Sequence, residues 1–494
     1  MPAGLLDTYQ KDEVLDLIAY VRSVSSPAGG PGESKQLSRG FRKQPALAAT
    51  TEKRAAKKPN VVLIISDDQS WTDYSFMKHP VIKTPSIDQL ARQSATFTRG
   101  YVPTALCRPS LATMITGLYA HQHRISGNDP VHPAGKTRRQ LGQDKGYAQQ
   151  RAKLISHIDK HATIPRLLKP QGYLSHQSGK WWEGSYQRGG FTHGMTRGFP
   201  KPGGRHGDDG LKIGRDGMKP IYDFIDMSVQ QEKPFFIWYA PFLPHTPHNP
   251  PQRLLKKYQA DGRPVALAKY YAMCEWFDET CGQLLGYLDK KAITDNTLVI
   301  YVSDNGWIQR TPQTKAPANW RGSFAPRSKQ SPNEGGTRTP IMVRWPGKVK
   351  PATYETLVSS IDIAPTIYAA CGVEAPKSLP GINLLDVCRQ REGNPSAADK
   401  RNVIFGESFA HDIADINRPA ESLLFRWCIR DQWKLLRTYD GKIGRYAFAH
   451  PRTDRSPQLY DLLADPHENN NLAAKHPKIV KELTALMQES WDGK

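Results

Sequence analysis

The stretch "NVVLIISDD", Asn60 to Asp68, is an unbroken apolar run that ends in two acids. A run this short and this apolar predicts a strand buried on both faces of a parallel sheet. "PFFIWYAP", "NTLVIYVSDNG" and "TPIMVRWPG" predict further strands of the same kind. Between them "TPSIDQLARQSATF" shows helical spacing after a Thr-Pro start, and "AKYYAMCEWFDETCGQLLGYLDK" predicts a long helix. "SSIDIAPTIYAACG" opens another helix, capped by Gly372. Strands alternating with helices predict an α/β sandwich around a mostly parallel central sheet. Past about Asn402 the pattern changes. "VIFGES", "FRWCIRDQWKLLRT" and "PQLYDL" predict short hairpin-linked strands, and "KIVKELTALMQESW" a closing helix. This part reads as a small antiparallel subdomain with one packed helix.

The chain before Pro59 has a different character. Residues 1–23 predict an amphipathic helix, with a start signal at Asp7-Thr8 and apolar positions at Val14, Leu15, Leu17, Ile18 and Val21. A Gly/Pro/Ser-rich and then basic linker follows, to Lys58. The helix resembles the C-terminal end of c-type cytochrome domains. No C-x-x-C-H occurs in the chain, so haem cannot attach here. The expectation is a remnant of a fusion or a misplaced start, with an ordinary tail helix as the equal alternative. The expected divisions are 1–58, a catalytic domain over 59–400 and a subdomain over 401–494.

Composition narrows the partners. Among 494 residues, 68 Lys+Arg against 47 Asp+Glu leave a net charge of +21, which attracts polyanions: nucleic acid, acidic membrane, or sulfated and phosphorylated substrates. The basic residues are spread along the chain without zinc-finger spacing, so nucleic acid is not expected. The cysteines at 107, 274, 281, 371, 388 and 428 form no C-x-x-C and are too sparse for a disulfide scaffold; one or two bridges stay open. No apolar run reaches about 18 residues, so no membrane span is expected. The first residues lack the basic, apolar, small-residue order of a secretory signal.

Two predicted strands end alike, one in Asp67-Asp68 and one in Asp304-Asn305. Ligands of open parallel sheets bind at the C-terminal strand edge. Carboxylates converging there repel unless a cation joins them, and all-oxygen donors favour Ca²⁺ or Mg²⁺. Asp and Asn are also ordinary turn formers. In "LCRPSLATMITG", Pro109 and Ser110 suit the first turn of a helix running through Met114, which puts Cys107 at a helix N-terminus, where the dipole favours an anion. A packed structural cysteine is the alternative.

"LCRPSLATMITG" resembles the signature of type I sulfatases, in which Cys-x-Pro-Ser-Arg precedes Thr-Gly. The similarity runs from Pro59 to the C-terminus through "DDQ", "GKW", "PHTPH", "SDNG", "NEGGTRTPIMVRWPG", "DIAPT" and "LYDLLADPHENNNLA". The order and spacing of these motifs carry the specificity that single tripeptides lack. The resemblance implies an alkaline-phosphatase-like fold and hydrolysis of sulfate monoesters. It implies that a formylglycine-generating maturation enzyme converts Cys107 to formylglycine. It makes Asp67, Asp68, Asp304 and Asn305 ligands of Ca²⁺, ahead of Mg²⁺, with converted Cys107 adding an oxygen. Lys180 and Lys329 match sulfate-binding lysines. His245 matches the histidine beside the leaving-group oxygen, with His248 competing for that role. In the implied mechanism one hydroxyl of the aldehyde hydrate attacks sulfur, His245 or Lys329 protonates the leaving alcohol, and the second hydroxyl expels sulfate. A periplasmic or secreted location is implied by the family alone.

Two positions depart from the family. Leu111 stands where an arginine is usual, with Arg108 and Arg124 the nearest substitutes. Trp182 stands where a histidine is usual, with His176, His193 and His206 as candidates to replace it. These departures keep two alternatives open: a phosphate or phosphonate ester hydrolase on the same fold, and a catalytically impaired binder of sulfated glycans. Trp181, Trp182, Trp307 and Trp320 suit a carbohydrate substrate, because sugars stack on aromatic faces.

Overall fold

The computed structural model describes residues 57–133, 135–259, 262–388, 401–450 and 454–493. The N-terminal helix and linker, with the cytochrome-like resemblance, lie outside the described residues apart from Lys57 and Lys58.

The apolar runs form the centre of a nine-stranded sheet. Its strands are β1 (Asn60–Ser66), β2 (Ala95–Tyr101), β4 (Leu174–Gly179), β5 (His193–Gly194), β6 (Phe235–Ala240), β7 (Thr297–Ser303), β8 (Arg338–Arg344), β9 (Ala352–Tyr354) and β10 (Val358–Ser359). The order is β10-β2-β8-β7-β1-β6-β4-β5, with β9 also on β2. Every pairing is parallel except those of β8 with β2 and β7. The sheet is therefore mostly parallel, as its continuous apolar strands require.

Successive residues of β1 feed opposite cores. Val61, Leu63 and Ile65 join Trp238, Ile300 and Met114 on one face, while Val62 and Ile64 join Ile237, Tyr301 and Phe277 on the other. The long helix Val265–Lys290 covers the second face with Lys219–Gln230 and Pro85–Arg92. The helices Cys107–Thr116 and Ile363–Cys371 cover the first. Gly372 ends the latter in the left-handed region, φ 66°, as expected of a C-cap. The helix over "TPSIDQLARQSATF" stops at Arg92, and its last residues open β2.

The C-terminal part forms its own antiparallel sheet, β11-β13-β14-β15 (Val403–Phe409, Leu423–Arg430, Trp433–Thr438, Gln458–Asp461). The helix Pro477–Ser490 packs on it through Leu483 and Met487. A two-stranded ribbon ties the halves: β12 (Asp412–Ile413) pairs with β3 (Asp129–Pro130). All six cysteines are buried and none is disulfide-bonded, so the bridges left open by the sequence do not form.

Candidate active site

Strand register assembles the site. β1 and β7 lie side by side with Ser66 opposite Ser303, so Asp67-Asp68 and Asp304-Asn305 emerge together. Asp68 leaves the strand at φ 64°, a left-handed turn rare for a non-glycine residue and typical of functional sites. That turn lets its N–H donate to Asp304 Oδ1 at 3.1 Å. Asp67 bridges to Pro244, which carries His245 to the same edge. β4 ends level with Ala240 of β6, and Lys180 N–H donates to the Ala240 carbonyl at 2.7 Å. Gly179 must be glycine there: a Cβ would sit 1.8 Å from the Ala240 oxygen, at φ +83°. Likewise a Cβ on Gly306 would meet the Gly335 oxygen at 2.0 Å, so "SDNG" and "NEGG" interlock through their glycines. Gln330 N–H donates to Ala105 at 2.8 Å and brings Lys329 beside the Cys107 turn.

Cys107 is the first residue of its helix and 2% exposed. Asp67, Asp68, Cys107 and His245 each place a ligating atom within 4.8 Å of the others. Asn305 Nδ2 donates to Asp68 Oδ1 at 2.7 Å. Lys329 Nζ lies 2.6 and 2.7 Å from the two Asp68 oxygens. Lys180 Nζ is 2.7 Å from Asp67 Oδ1 and 3.8 Å from Asp304 Oδ2. Three buried carboxylates thus face two ammonium groups. Asp67 Oδ2, Asp304 Oδ2 and Asn305 Oδ1 are buried with no hydrogen-bond partner among the described residues. Unpartnered buried oxygens are costly, and this donor set, hard oxygens with surplus negative charge, fits a divalent cation.

The charges perturb one another. Burial would raise the Asp68 carboxyl, but Lys329, His245 and Lys180 overcome it and hold it well below the usual carboxylate range. Burial dominates at Asp67 and Asp304 and raises both, with Lys180 opposing. Burial opposes the charged form of both lysines, yet the neighbouring carboxylates keep them raised. The Cys107 thiol is pushed up to about 11 by burial, although Lys180 and Lys329 oppose the shift. A helix N-terminus therefore does not make it a thiolate near neutral pH, and an unmodified Cys107 is a weak nucleophile. His245 is pulled well below its ordinary value by burial, against the pull of Asp68. Its Nδ1 donates to the Thr246 carbonyl at 2.5 Å, which aims Nε2 at Asp68 Oδ2, 3.3 Å away.

The candidates sort themselves by position. His248 packs against Tyr270 and Trp307, while His245 lines the pocket. Arg108 is committed to Glu183, and Arg124 is an exposed residue at the end of a short helix. Neither substitutes for an arginine at Leu111, whose side chain is in the core. His176 and His193 face each other at the sheet edge, away from the pocket, because β4 and β5 pair there. His206 lines the pocket against Trp182, at 5.2 Å between ring centroids, and burial pulls it down to about 2. Trp182 and Trp307 line the pocket; Trp181 is core, packed on Phe191 and Trp238, and Trp320 packs on Phe324 and Phe448.

The pocket has a volume of about 430 Å³ and opens over Cys107, Lys180, His245 and Lys329. Its far wall carries residues the sequence did not single out: Asn128, Arg205, His411, Tyr446 and Phe448. Asn128 Oδ1 accepts from the Arg108 N–H at 3.0 Å, and its Nδ2 lies 3.3 Å from His411 Nε2. His411 is held in turn by Asp412 at 2.6 Å. A larger cleft of about 640 Å³ lies between Tyr119, Arg401 and Trp491, away from these groups.

Residues 59–373 match the family model described as sulfatase, and residues 328–492 match that of the N-sulphoglucosamine sulphohydrolase C-terminal region. The chain is 26% identical to an N-acetylgalactosamine-6-O-sulfatase of Bacteroides thetaiotaomicron, over 88% of this chain and 93% of the relative. It is 25% identical to human arylsulfatase A over 89% of each. The solved structure of the PsFucS1 sulfatase from Pseudoalteromonas sp. superposes with a TM-score of 0.64 at 20% identity, covering 90% of this chain and 91% of that one.

Proposed function

The chain belongs to the sulfatase family and is a sulfuric ester hydrolase, and from that premise we propose that it removes sulfate from a sulfated carbohydrate in the pocket above Cys107. The observation that carries this reading is the meeting of Cys107 with Asp67, Asp68 and His245 within 4.8 Å, flanked by Lys180 and Lys329. The relatives named for sulfated amino sugars and the aromatic lining of the pocket support a carbohydrate.

Asp67, Asp68, Asp304, Asn305 and the Cys107 position would hold a hard divalent cation, because every donor is an oxygen once Cys107 is converted; the family resemblance places Ca²⁺ ahead of Mg²⁺. When bound, such an ion stabilises charge on the group being transferred. A maturation enzyme would convert Cys107 to formylglycine, whose hydrate offers an oxygen nucleophile that the poorly ionised thiol does not. Lys180 and Lys329 bind the sulfate oxygens and offset the charge that grows as the S–O bond breaks. Lys329, kept protonated by Asp68, is the group in reach that holds a proton for the leaving alcohol; His245, whose single proton sits on Nδ1 toward Thr246, would hand one over from Nε2 only when doubly protonated. Residues 59–400 make the catalytic domain, and 401–494 a subdomain that supplies His411, Tyr446 and Phe448 to the pocket wall.

No helix among the described residues is long and apolar enough to cross a membrane. Placement in the periplasm or outside the cell belongs to this proposal and rests on the family. The test is peptide mass spectrometry across Cys107 after expression with a maturation enzyme, paired with aryl sulfate turnover. Formylglycine and turnover together are expected. An unmodified thiol in an active enzyme would sink the mechanism.

A further inference from the structure

Among the residues that line the pocket are four cations, Lys180, Arg205, Arg321 and Lys329, and no Asp or Glu. The two lysines rest on the carboxylates of Asp67 and Asp68. Arg205 is arranged differently. Its Nε donates to Asp129 Oδ1 at 3.1 Å and its Nη2 to Asp129 Oδ2, which fixes one edge of the guanidinium. Nη1 has no hydrogen-bond partner among the described residues.

The anchor behind Arg205 is itself overfilled. Asp129 also takes Arg151 Nη1 at 2.9 Å and Arg445 Nη2 at 3.5 Å, and Asp412 takes Arg445 Nε at 2.7 Å. Three guanidiniums therefore share two carboxylates, and one positive charge is left over on this wall. The Arg205 guanidinium lies 4.6 Å from the centroid of the Trp182 ring, which prevents it from swinging away. Trp182 is 3% exposed, and its indole Nε1–H has no hydrogen-bond partner among the described residues. An unpartnered buried donor beside a clamped guanidinium is an arrangement completed by an oxyanion. Trp182 follows Lys180 by two residues, so this donor pair adjoins the sulfate-binding lysine within one pocket.

We infer that Arg205 and Trp182 form a second anion-binding site, and that the substrate is a sugar bearing two oxyanions: the sulfate that is cleaved and a further carboxylate or sulfate. This rests on the proposed sulfatase reading and adds to it which sugars are preferred. The site touches substrate, not the reacting atoms, so its loss shows as a change of selectivity.

The test compares kcat/KM for three sugar substrates with the converted, metal-loaded enzyme: a mono-O-sulfated neutral hexosamine, a disulfated hexosamine and an O-sulfated uronic acid. At least one dianionic sugar is expected to be preferred by about tenfold or more, as one charge-assisted hydrogen bond can supply. Which one is preferred separates a second sulfate from a carboxylate. Arg205→Met is expected to shrink that ratio by about tenfold, and Arg205→Lys, which keeps charge but loses the fork, to shrink it less. Trp182→Phe keeps the ring without the N–H, and should shrink the ratio severalfold even if loss of Arg205 impairs folding. A wild-type ratio near one, or an equal loss on all three sugars in the variants, overturns the inference. If aryl sulfate is turned over while that ratio is one, only this inference fails. If no sulfate ester is turned over, the sulfatase reading fails first.

Discussion

The Arg108 guanidinium grips Glu183 through Nε at 2.8 Å and Nη2 at 2.7 Å, with both side chains almost fully buried. The pair ties the helix that begins at Cys107 to the segment that carries Lys180 and Trp182. The arginine beside Cys107 is therefore a fastener between two walls of the site and does not stand in for one at Leu111. Removing one member of a buried pair strands the other charge. Arg108→Met is expected to destabilise the protein by about 3–5 kcal/mol, and Arg108→Met with Glu183→Leu to recover most of that. Thermal unfolding midpoints of the single and double variants check this. A double variant as unstable as the single one would show that the Arg108 bond to the Asn128 carbonyl, at 3.2 Å, matters more than the ion pair.

The charged groups around Cys107 should separate sulfate from phosphate ester hydrolysis. Two ammonium groups stand over three carboxylates, a balance that suits a singly charged sulfate monoester better than a doubly charged phosphate. Aryl sulfate is expected to be turned over at least about a hundredfold faster than aryl phosphate. Lys180→Ala and Lys329→Ala should each lower kcat/KM on aryl sulfate by about 10²–10³, the usual size for one charge-stabilising donor. Cys107→Ala should leave no turnover above background. Parallel losses on both esters with no preference in the wild type would favour the phosphate or phosphonate alternative.

Chelation should cost stability as well as activity. Without a cation, Asp67 Oδ2, Asp304 Oδ2 and Asn305 Oδ1 stay buried and unpartnered. Ca²⁺ at about a hundred times its dissociation constant is expected to add about 2.7 kcal/mol by mass action. The check is a melting curve in EGTA and in excess Ca²⁺, repeated with Mg²⁺. Asp304→Ala should abolish the Ca²⁺-dependent shift. An unchanged midpoint would argue against a metal at these residues.

The fold was legible where burial on both faces makes a strand uniformly apolar, as in β1, β6, β7 and β8. β4 was not, because "LSHQSG" buries the side chains of Ser175, Gln177 and Ser178 by hydrogen bonding them, so no apolar run marks it. Asp67, Asp68, Asp304 and Asn305 were legible because they terminate those apolar strands. Arg205, Asp129 and His411 were not. Arg205 reaches the pocket from a loop, His411 from the residue before β12, and Asp129 stands behind Arg205 on β3; these two-residue strands pair across more than half the chain. Arg and Asp in loops are by default solvated charges, and only the tertiary pairing marks these as a site.

Acid sensitivity should trace in part to His79, which is not one of the site residues. Its Nδ1 accepts the backbone N–H groups of Val81 at 3.1 Å and Ile82 at 2.8 Å, so the ring must be neutral there to hold the turn. Burial, with Arg263 and Lys83 adding repulsion, pulls its pKa down to about 4. The unfolded chain protonates this histidine near its ordinary value of about 6.5, while the folded protein resists until about pH 4. The unfolded state therefore binds more protons across that window, and stability falls as pH is lowered through it. Above about pH 6.5 the contribution is complete and flat. His79→Asn keeps a side-chain acceptor for the turn but cannot titrate. Thermal midpoints measured at intervals from pH 7.5 to 4.5 should fall less steeply in this variant than in the wild type, with the two curves differing only below about pH 6.5. Parallel curves across the whole range would show that His79 does not carry the effect.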